Sequence, residues 1–524
     1  MLLVSGVFVY RSILESFAHG RLATEPNYDD VGYFYSGALL LQAFRSGHIF
    51  EALISYMHSP FSVLLAAASF AIWGAQDWAP YAGNMLVVIS YLLALCYFLR
   101  PLPLGVQMGL LLAFLSLPFA TMAVVEFRPD LVWATLVGFA AIYLCCTDQD
   151  FSSRGEAVGI GLIYGAAMMT KPSTFLMTSS VIGLAGLLRL LRQAVLGKLK
   201  TFTLLRWLVI FLFAALLVAG FYYGLHYRRI WRYFYDNSFG ENKDIWIADQ
   251  SLLSHLSHYI GADNAARSNL GRWRMPLLIF AALSWLVGMR RAGGLERHLI
   301  LGSLATLVTA AWLASSLFGM KSPFLGGAFY GTLIFAVAYL LTETLKLALP
   351  TLSRPIVQSV AFVSLVALSY LMHTWPGYSE WNSARAQFYR KANIGVWNEI
   401  QGASKNFRPS DGVLDIYYSN SSPIPPELQR LRALQRQVRI RVRHGSMAAS
   451  MEAQRGIFEG CDMLIVQDPG LPEVNLNVPG EKLQSSITQE VLSTSRFSLA
   501  REIVLSDNKR IYVLHNTTTL VPKD

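Results

Sequence analysis

Two adjacent carboxylates, Asp29 and Asp30, stand a few residues beyond the first apolar run, in "PNYDDVGYFYSGALLLQAFRSGHIF" (26–50). A carboxylate can take a proton from a hydroxyl, help hold a cation, or cap a helix. A cap needs one aspartate and not the repulsion between two neighbours. Farther along, "EFRPD" (126–130) places Glu126, Arg128 and Asp130 at a proline turn, and "MMTKPS" (168–173) places Lys171 before another proline. Arginine holds phosphate as a bidentate partner and lysine as a point charge. Lys321, Arg228 and Arg229 also fall where apolar runs end.

The elements that carry these residues follow from composition. Of the 524 residues, 54% are hydrophobic and 15% charged, against about 25% charged in an ordinary soluble domain. Apolar runs of near-bilayer length cover 2–17, 79–99, 104–125, 131–146, 158–169, 174–190, 202–224, 276–289, 299–318, 324–345 and 356–373. The sequence therefore predicts a polytopic α-helical membrane protein with about eleven transmembrane helices. Its net charge of +10 is gathered in the short loops between the runs, as a topology signal, so nucleic acid is not expected as a partner.

Arg100, Arg154, the cations between 189 and 206, Arg290, Arg291, Arg297, Lys346 and Arg354 fall on one side. Only Arg128, Lys171 and Lys321 occupy the short loops of the other. The positive-inside rule puts the first set inside. The long connections 18–78 and 225–275 then lie outside. The run 59–73 is too short to cross upright and is expected to stay outside as an interfacial or re-entrant helix. In the helix after Asp30, the face with Val31, Phe34, Tyr35, Ala38, Leu41 and Gln42 suits a helix lying in the interface.

From 377 to 524 the pattern becomes soluble. "VLDIYYS", "QVRIRVR", "DMLIVQD" and "IYVLHN" alternate with helix-compatible stretches, which predicts a small C-terminal α/β domain outside the membrane domain 1–376. No GxGxxG or P-loop spacing occurs there. The four cysteines form neither a disulfide framework nor a metal-binding spacing.

The order of these motifs resembles the GT-C superfamily of polytopic glycosyltransferases, in the branch of the protein O-mannosyltransferases and the lipid A aminoarabinose transferases. The resemblance rests on "DDVGY" (29–33), "HSP" (58–60), "EFRPD" and "MMTKPS", and covers roughly the first two hundred residues. It implies transfer of a sugar from a polyprenyl-phosphate donor to a hydroxyl of a lipid, glycan or protein acceptor, at the outer face of a bacterial inner membrane. Asp29 would be the general base, with Asp30 in support. Arg128, Lys171, Lys321 and Arg228 would bind the donor phosphate. Glu126, Asp130, His58 and Tyr33 would position these groups or the acceptor. No cofactor is fixed by the resemblance, and a divalent cation stays open. This chain departs from the aminoarabinose transferases at Gly32, where they have arginine, and at Met57 and His58, where they have Glu-Lys. Those departures leave the sugar and the donor contacts unassigned.

A transporter or flippase for lipid-linked glycans is the rival class. It would be expected to show repeats and mid-membrane charges, whereas these acids cluster at one edge. A lipid-linked polymer ligase would place its key residues in a late outer loop. The topology is tested by labelling Gln76→Cys with a membrane-impermeant thiol reagent. Reaction is expected in intact cells; labelling only after permeabilisation would invert the assignment.

Overall fold

A computed structural model describes residues 1–24, 28–240, 251–261, 265–317, 323–346, 349–373, 383–408, 412–419, 424–445, 448, 450–468, 479–505 and 508–522. The eleven apolar runs are helical, 104–125 as two helices, Leu104–Leu115 and Pro118–Val125. Among the described residues, seven helices are long and apolar enough to cross a bilayer. An eighth span is added if Leu104–Leu115 and Pro118–Val125, bent by 59°, count as one. The bend falls at Pro118, which cannot continue the ladder and starts a new helix at its first position. The other three, Leu2–His19, Asp130–Cys146 and Arg154–Thr170, have 18, 17 and 17 residues. The chain is an integral membrane protein with a small C-terminal sheet domain.

The span expected over 202–224 continues as one helix, Thr201–Ser238, of 38 residues. Gly224 is tolerated within it, and Tyr222, His226 and Ile230 form a buried stripe at i, i+4 spacing that carries the helix onward. The run 59–73 is a helix, Pro60–Trp73, of 14 residues.

The chain divides into two compact units, 1–10, 54–62 and 84–376 in one, and 11–53, 63–83 and 377–524 in the other. In the first, helices approach through small residues, as expected where lipid removes any hydrophobic drive between spans. Gly161 and Gly165 of Arg154–Thr170 lie against the backbone of Phe211 and Ala215 on Thr201–Ser238. Gly105 and Gly109 meet Gln358 and Leu365 of Pro355–Met372. Gly138 of Asp130–Cys146 lies on Gly331 of Gly327–Leu345. Arg189 and Arg192, expected as surface topology signals, are instead buried. Arg189 binds Glu156 through two nitrogens, at 2.7 and 3.0 Å, and donates to the carbonyl of Gln149, while Arg192 donates to the carbonyls of Cys145 and Thr147. Arg192 thus satisfies carbonyls at the end of helix Asp130–Cys146, and Arg189 those of the loop that follows it.

The second unit joins the segments around the acidic pair to the C-terminal residues. Its five-stranded sheet runs β3 (Ile440–His444), β2 (Leu414–Tyr418), β4 (Met463–Gln467), β6 (Arg510–Asn516), β5 (Phe497–Val504). β3, β2 and β4 are parallel, and β6 and β5 antiparallel. A two-residue pair, β1 (Phe407–Arg408) with β7 (Val521–Pro522), lies apart. The central β2 and β4 are buried along their whole length, with alternate residues in two cores. β5 escapes the sequence reading because it is an exposed edge broken by a bulge at Leu499/Arg501.

Helix Tyr28–Arg45 does not lie on one face as expected. Gln42 is exposed, whereas Tyr33, Gly37 and Leu40 join Val31 and Phe34 in the interior. The cause is packing on two sides. Gly37 lies against Ala66 and Ala67 of Pro60–Trp73, and helix Pro426–Arg436 of the C-terminal domain packs on the same helix.

The close crossing at Gly331 gives a stability test. An added Cβ would stand 2.2 Å from the carbonyl oxygen of Ala134. Gly331→Ala should therefore destabilise the detergent-solubilised protein by about 1–3 kcal/mol, as overpacking does. Gly183→Ala, which meets nothing within 4 Å, should melt no lower than wild type. Equal melting of the two variants would refute the tight crossing.

Candidate active site

Asp29 and Asp30 occupy the first turn of helix Tyr28–Arg45, where the helix dipole favours anions. Successive residues on a helix point about 100° apart, and here that separates the pair. Asp29 is exposed, while Asp30 is 0% exposed. Both oxygens of Asp30 are held. One accepts from Arg21 Nη1 at 3.2 Å and the other from the Tyr81 hydroxyl at 2.8 Å. Arg21, itself 5% exposed, sits on the short helix Arg21–Thr24, which packs against helix Ser383–Asn406 of the C-terminal domain. Asp30, expected in a supporting role beside Asp29, is a sealed side chain with a donor on each oxygen. It is an anchor, and Asp29 is the carboxylate presented to solvent. Tyr33 also faces inward.

The second group lies in the other unit. Lys171 donates to Asp130 at 2.6 Å, and its ammonium stands 5.4 Å from the centre of the Trp133 ring. Trp133 is fully buried and donates its indole N–H to Thr178 at 2.8 Å. Arg128 pairs with the buried Glu126. Between them Phe127 has φ 41°, in the left-handed region that favours glycine. An aromatic residue there stores roughly 1–3 kcal/mol of strain, of the kind found at functional turns. The turn brings Glu126, Arg128 and Asp130 together from the end of one helix to the start of the next.

Segment 56–59 joins this unit through three contacts. The Tyr222 hydroxyl donates to the Met57 carbonyl, Ser59 Oγ donates to the Thr170 carbonyl at 2.7 Å, and Tyr56 stacks on Tyr222 at 6.5 Å. In the aromatic stretch 222–235, Tyr222 and His226 turn inward. His58 is exposed with its ring edge-on to Tyr233, 4.8 Å away. Arg228 is exposed on helix Thr201–Ser238, its Nε on the Tyr227 hydroxyl at 2.9 Å. Lys321 lies outside the described residues. Among the described residues, no group of three or more His, Cys, Asp or Glu side chains is placed to hold a metal ion.

No protein-family model matches the chain, and no curated protein does. Solved structures do. The chain is similar over 99% of its length to ArnT from Cupriavidus metallidurans bound to undecaprenyl phosphate, with a TM-score of 0.57, 13% identity and 99% of that chain covered. The apo state of the same protein matches with the same TM-score and identity and 98% of its chain covered. The arabinofuranosyltransferase AftD from Mycobacteria matches at a TM-score of 0.53 and 13% identity, over 98% of this chain but 40% of its own. The chain shares the fold of these solved structures.

Within that fold, sequence reasoning missed Arg21, Tyr81, Trp133 and Thr178. Arg21 precedes Asp30 by nine residues, Tyr81 follows it by 51, and the partners sit on separate elements, so no local spacing rule reaches them. Asp77 was also passed over. Burial pushes its carboxyl above the usual range, against the opposing pull of Arg432 and Arg390.

The Lys171–Asp130 pair can be tested apart from activity. Asp130→Asn keeps the shape but leaves the Lys171 ammonium, 18% exposed, without its carboxylate. A loss of about 1–3 kcal/mol is expected on unfolding in mixed micelles. Adding Lys171→Met should recover part of it. An Asp130→Asn protein as stable as wild type would show the pair contributes nothing.

Proposed function

We propose that this protein is an integral membrane glycosyltransferase that moves a sugar from a polyprenyl-phosphate donor to an acceptor hydroxyl, on the outer face of a bacterial inner membrane. The observation that carries this reading is the likeness over 99% of both chains to ArnT, whose structure holds undecaprenyl phosphate. The name of AftD, an arabinofuranosyltransferase, points the same way.

In the proposed reaction Asp29 takes the proton of the acceptor hydroxyl. The acceptor oxygen bonds to the anomeric carbon, the bond from that carbon to the phosphate oxygen breaks, and its electron pair leaves with the polyprenyl phosphate. The charge that develops on the leaving oxygen needs cations or N–H donors. Lys171 supports this role because its ammonium has three donors and Asp130 engages one. Arg128 is assigned the same role, with Glu126 and Asp130 orienting the two cations. Because each cation already has a carboxylate, directed hydrogen bonds rather than net positive charge serve the phosphate.

Asp29→Asn tests the base, since the amide keeps the shape and cannot take the proton. Normal expression, retained donor binding and a loss of roughly a hundredfold in transfer of labelled sugar are expected, the usual scale for removing a general base. Transfer near the wild-type rate would remove Asp29 from the chemistry.

A further inference from the structure

We propose that Arg21 and Tyr81 are positioning residues for Asp29, acting through Asp30. The inference rests on the reading of Asp29 as the base. The two aspartates are consecutive on one helical turn, so any rotation of that turn that moves one moves the other. Asp30 is fixed at both oxygens, by the guanidinium of Arg21 at 3.2 Å and the hydroxyl of Tyr81 at 2.8 Å. The two partners come from different elements, helix Arg21–Thr24 and the start of helix Ala79–Leu99. Together they oppose both twist and lift of the turn.

The Tyr81 ring is itself held, with Phe34 of the acidic helix edge-on at 5.5 Å, and Phe34 also meets Phe70 at 6.1 Å. Gly37, one turn farther on, has no room for a side chain against Ala66 and Ala67. The first three turns are therefore seated by a salt bridge, a phenol and a tight backbone contact in succession. An exposed carboxylate on an unsupported helix start would sample many orientations, and a proton acceptor must meet its hydroxyl at hydrogen-bond distance. Arg21 supplies its guanidinium to Asp30.

The test compares Tyr81→Phe, Arg21→Lys, Arg21→Gln and Asp29→Asn in the full-length protein, by transfer kinetics and detergent melting. Tyr81→Phe removes one oxygen. It should lower kcat by about ten- to a hundredfold, the scale of a small misplacement of a catalytic group. KM for the polyprenyl-phosphate sugar should stay within about twofold, which assigns the loss to the transition state. Its melting temperature should fall by only a few degrees, because one oxygen of the buried Asp30 loses its donor, and turnover is therefore compared at equal folded amounts. Arg21→Lys should retain more turnover than Arg21→Gln at equal folded amounts. Wild-type kcat in Tyr81→Phe, or a loss that only tracks melting, overturns the clamp. If Asp29→Asn itself transfers normally, the base assignment has failed. If Asp29→Asn is inactive while Tyr81→Phe is not, only the positioning role has failed.

Discussion

Asp30 is a fully buried carboxylate, and a buried charge persists only with a partner and satisfied lone pairs. Arg21 and Tyr81 meet both conditions. Around this point the second unit is assembled: the short helix that supplies Arg21, the helix that supplies Tyr81, and the C-terminal helices Ser383–Asn406 and Pro426–Arg436 packed on the segments that hold them. The C-terminal domain is thus part of the support for the acidic helix. Removing one partner of such a pair leaves an uncompensated charge in the interior, which costs more than the pair itself contributes.

The same rule recurs in the other unit. Arg189 with Glu156, Lys171 with Asp130 and Arg128 with Glu126 are each matched to a carboxylate. In a medium of low dielectric, the attraction within matched pairs offsets part of the desolvation cost of keeping cations near the spans. They also fix guanidinium and ammonium groups in direction. Anion recognition by such a protein depends on where the remaining N–H groups point.

Much of this was legible in the sequence, and the reason is chemical. Bilayer-length apolar runs leave few alternatives to helix, so the helical character of these runs was legible, while seven or eight of them are long and apolar enough to span among the described residues. β2, β3, β4 and β6 were found from their apolar alternation and turn residues, whereas β5, with Arg501 and Glu502 on an exposed edge, gave no such pattern. Helix ends were harder. Nothing between Gly224 and Ser238 looks like a span, yet the Tyr222, His226, Ile230 stripe keeps the helix going. For the site, residue types and turns pointed to Asp29, Arg128 and Lys171. The partners Arg21, Tyr81 and Trp133 were hidden because their roles come from tertiary contact. The glycine pairs at 161/165 and 105/109 were present in the sequence as small-xxx-small spacing, and only the facing helices give them meaning.

Helix Thr201–Ser238, at 38 residues, is about 57 Å long, nearly twice the thickness of a bilayer core of about 30 Å. It is one rigid element with two kinds of phase. Toward its start it reads out against Gly161 and Gly165, and toward its end against Met57 and Tyr56. Exchanging one lipid-facing residue leaves both registers intact. Inserting or deleting a single residue between them turns one end relative to the other by about 100°, so Tyr222 and His226 would leave segment 56–59 altogether. The middle of this helix is therefore tolerant of replacement and intolerant of length change, and its residue count behaves as a gear setting between the packed spans and the aromatic end.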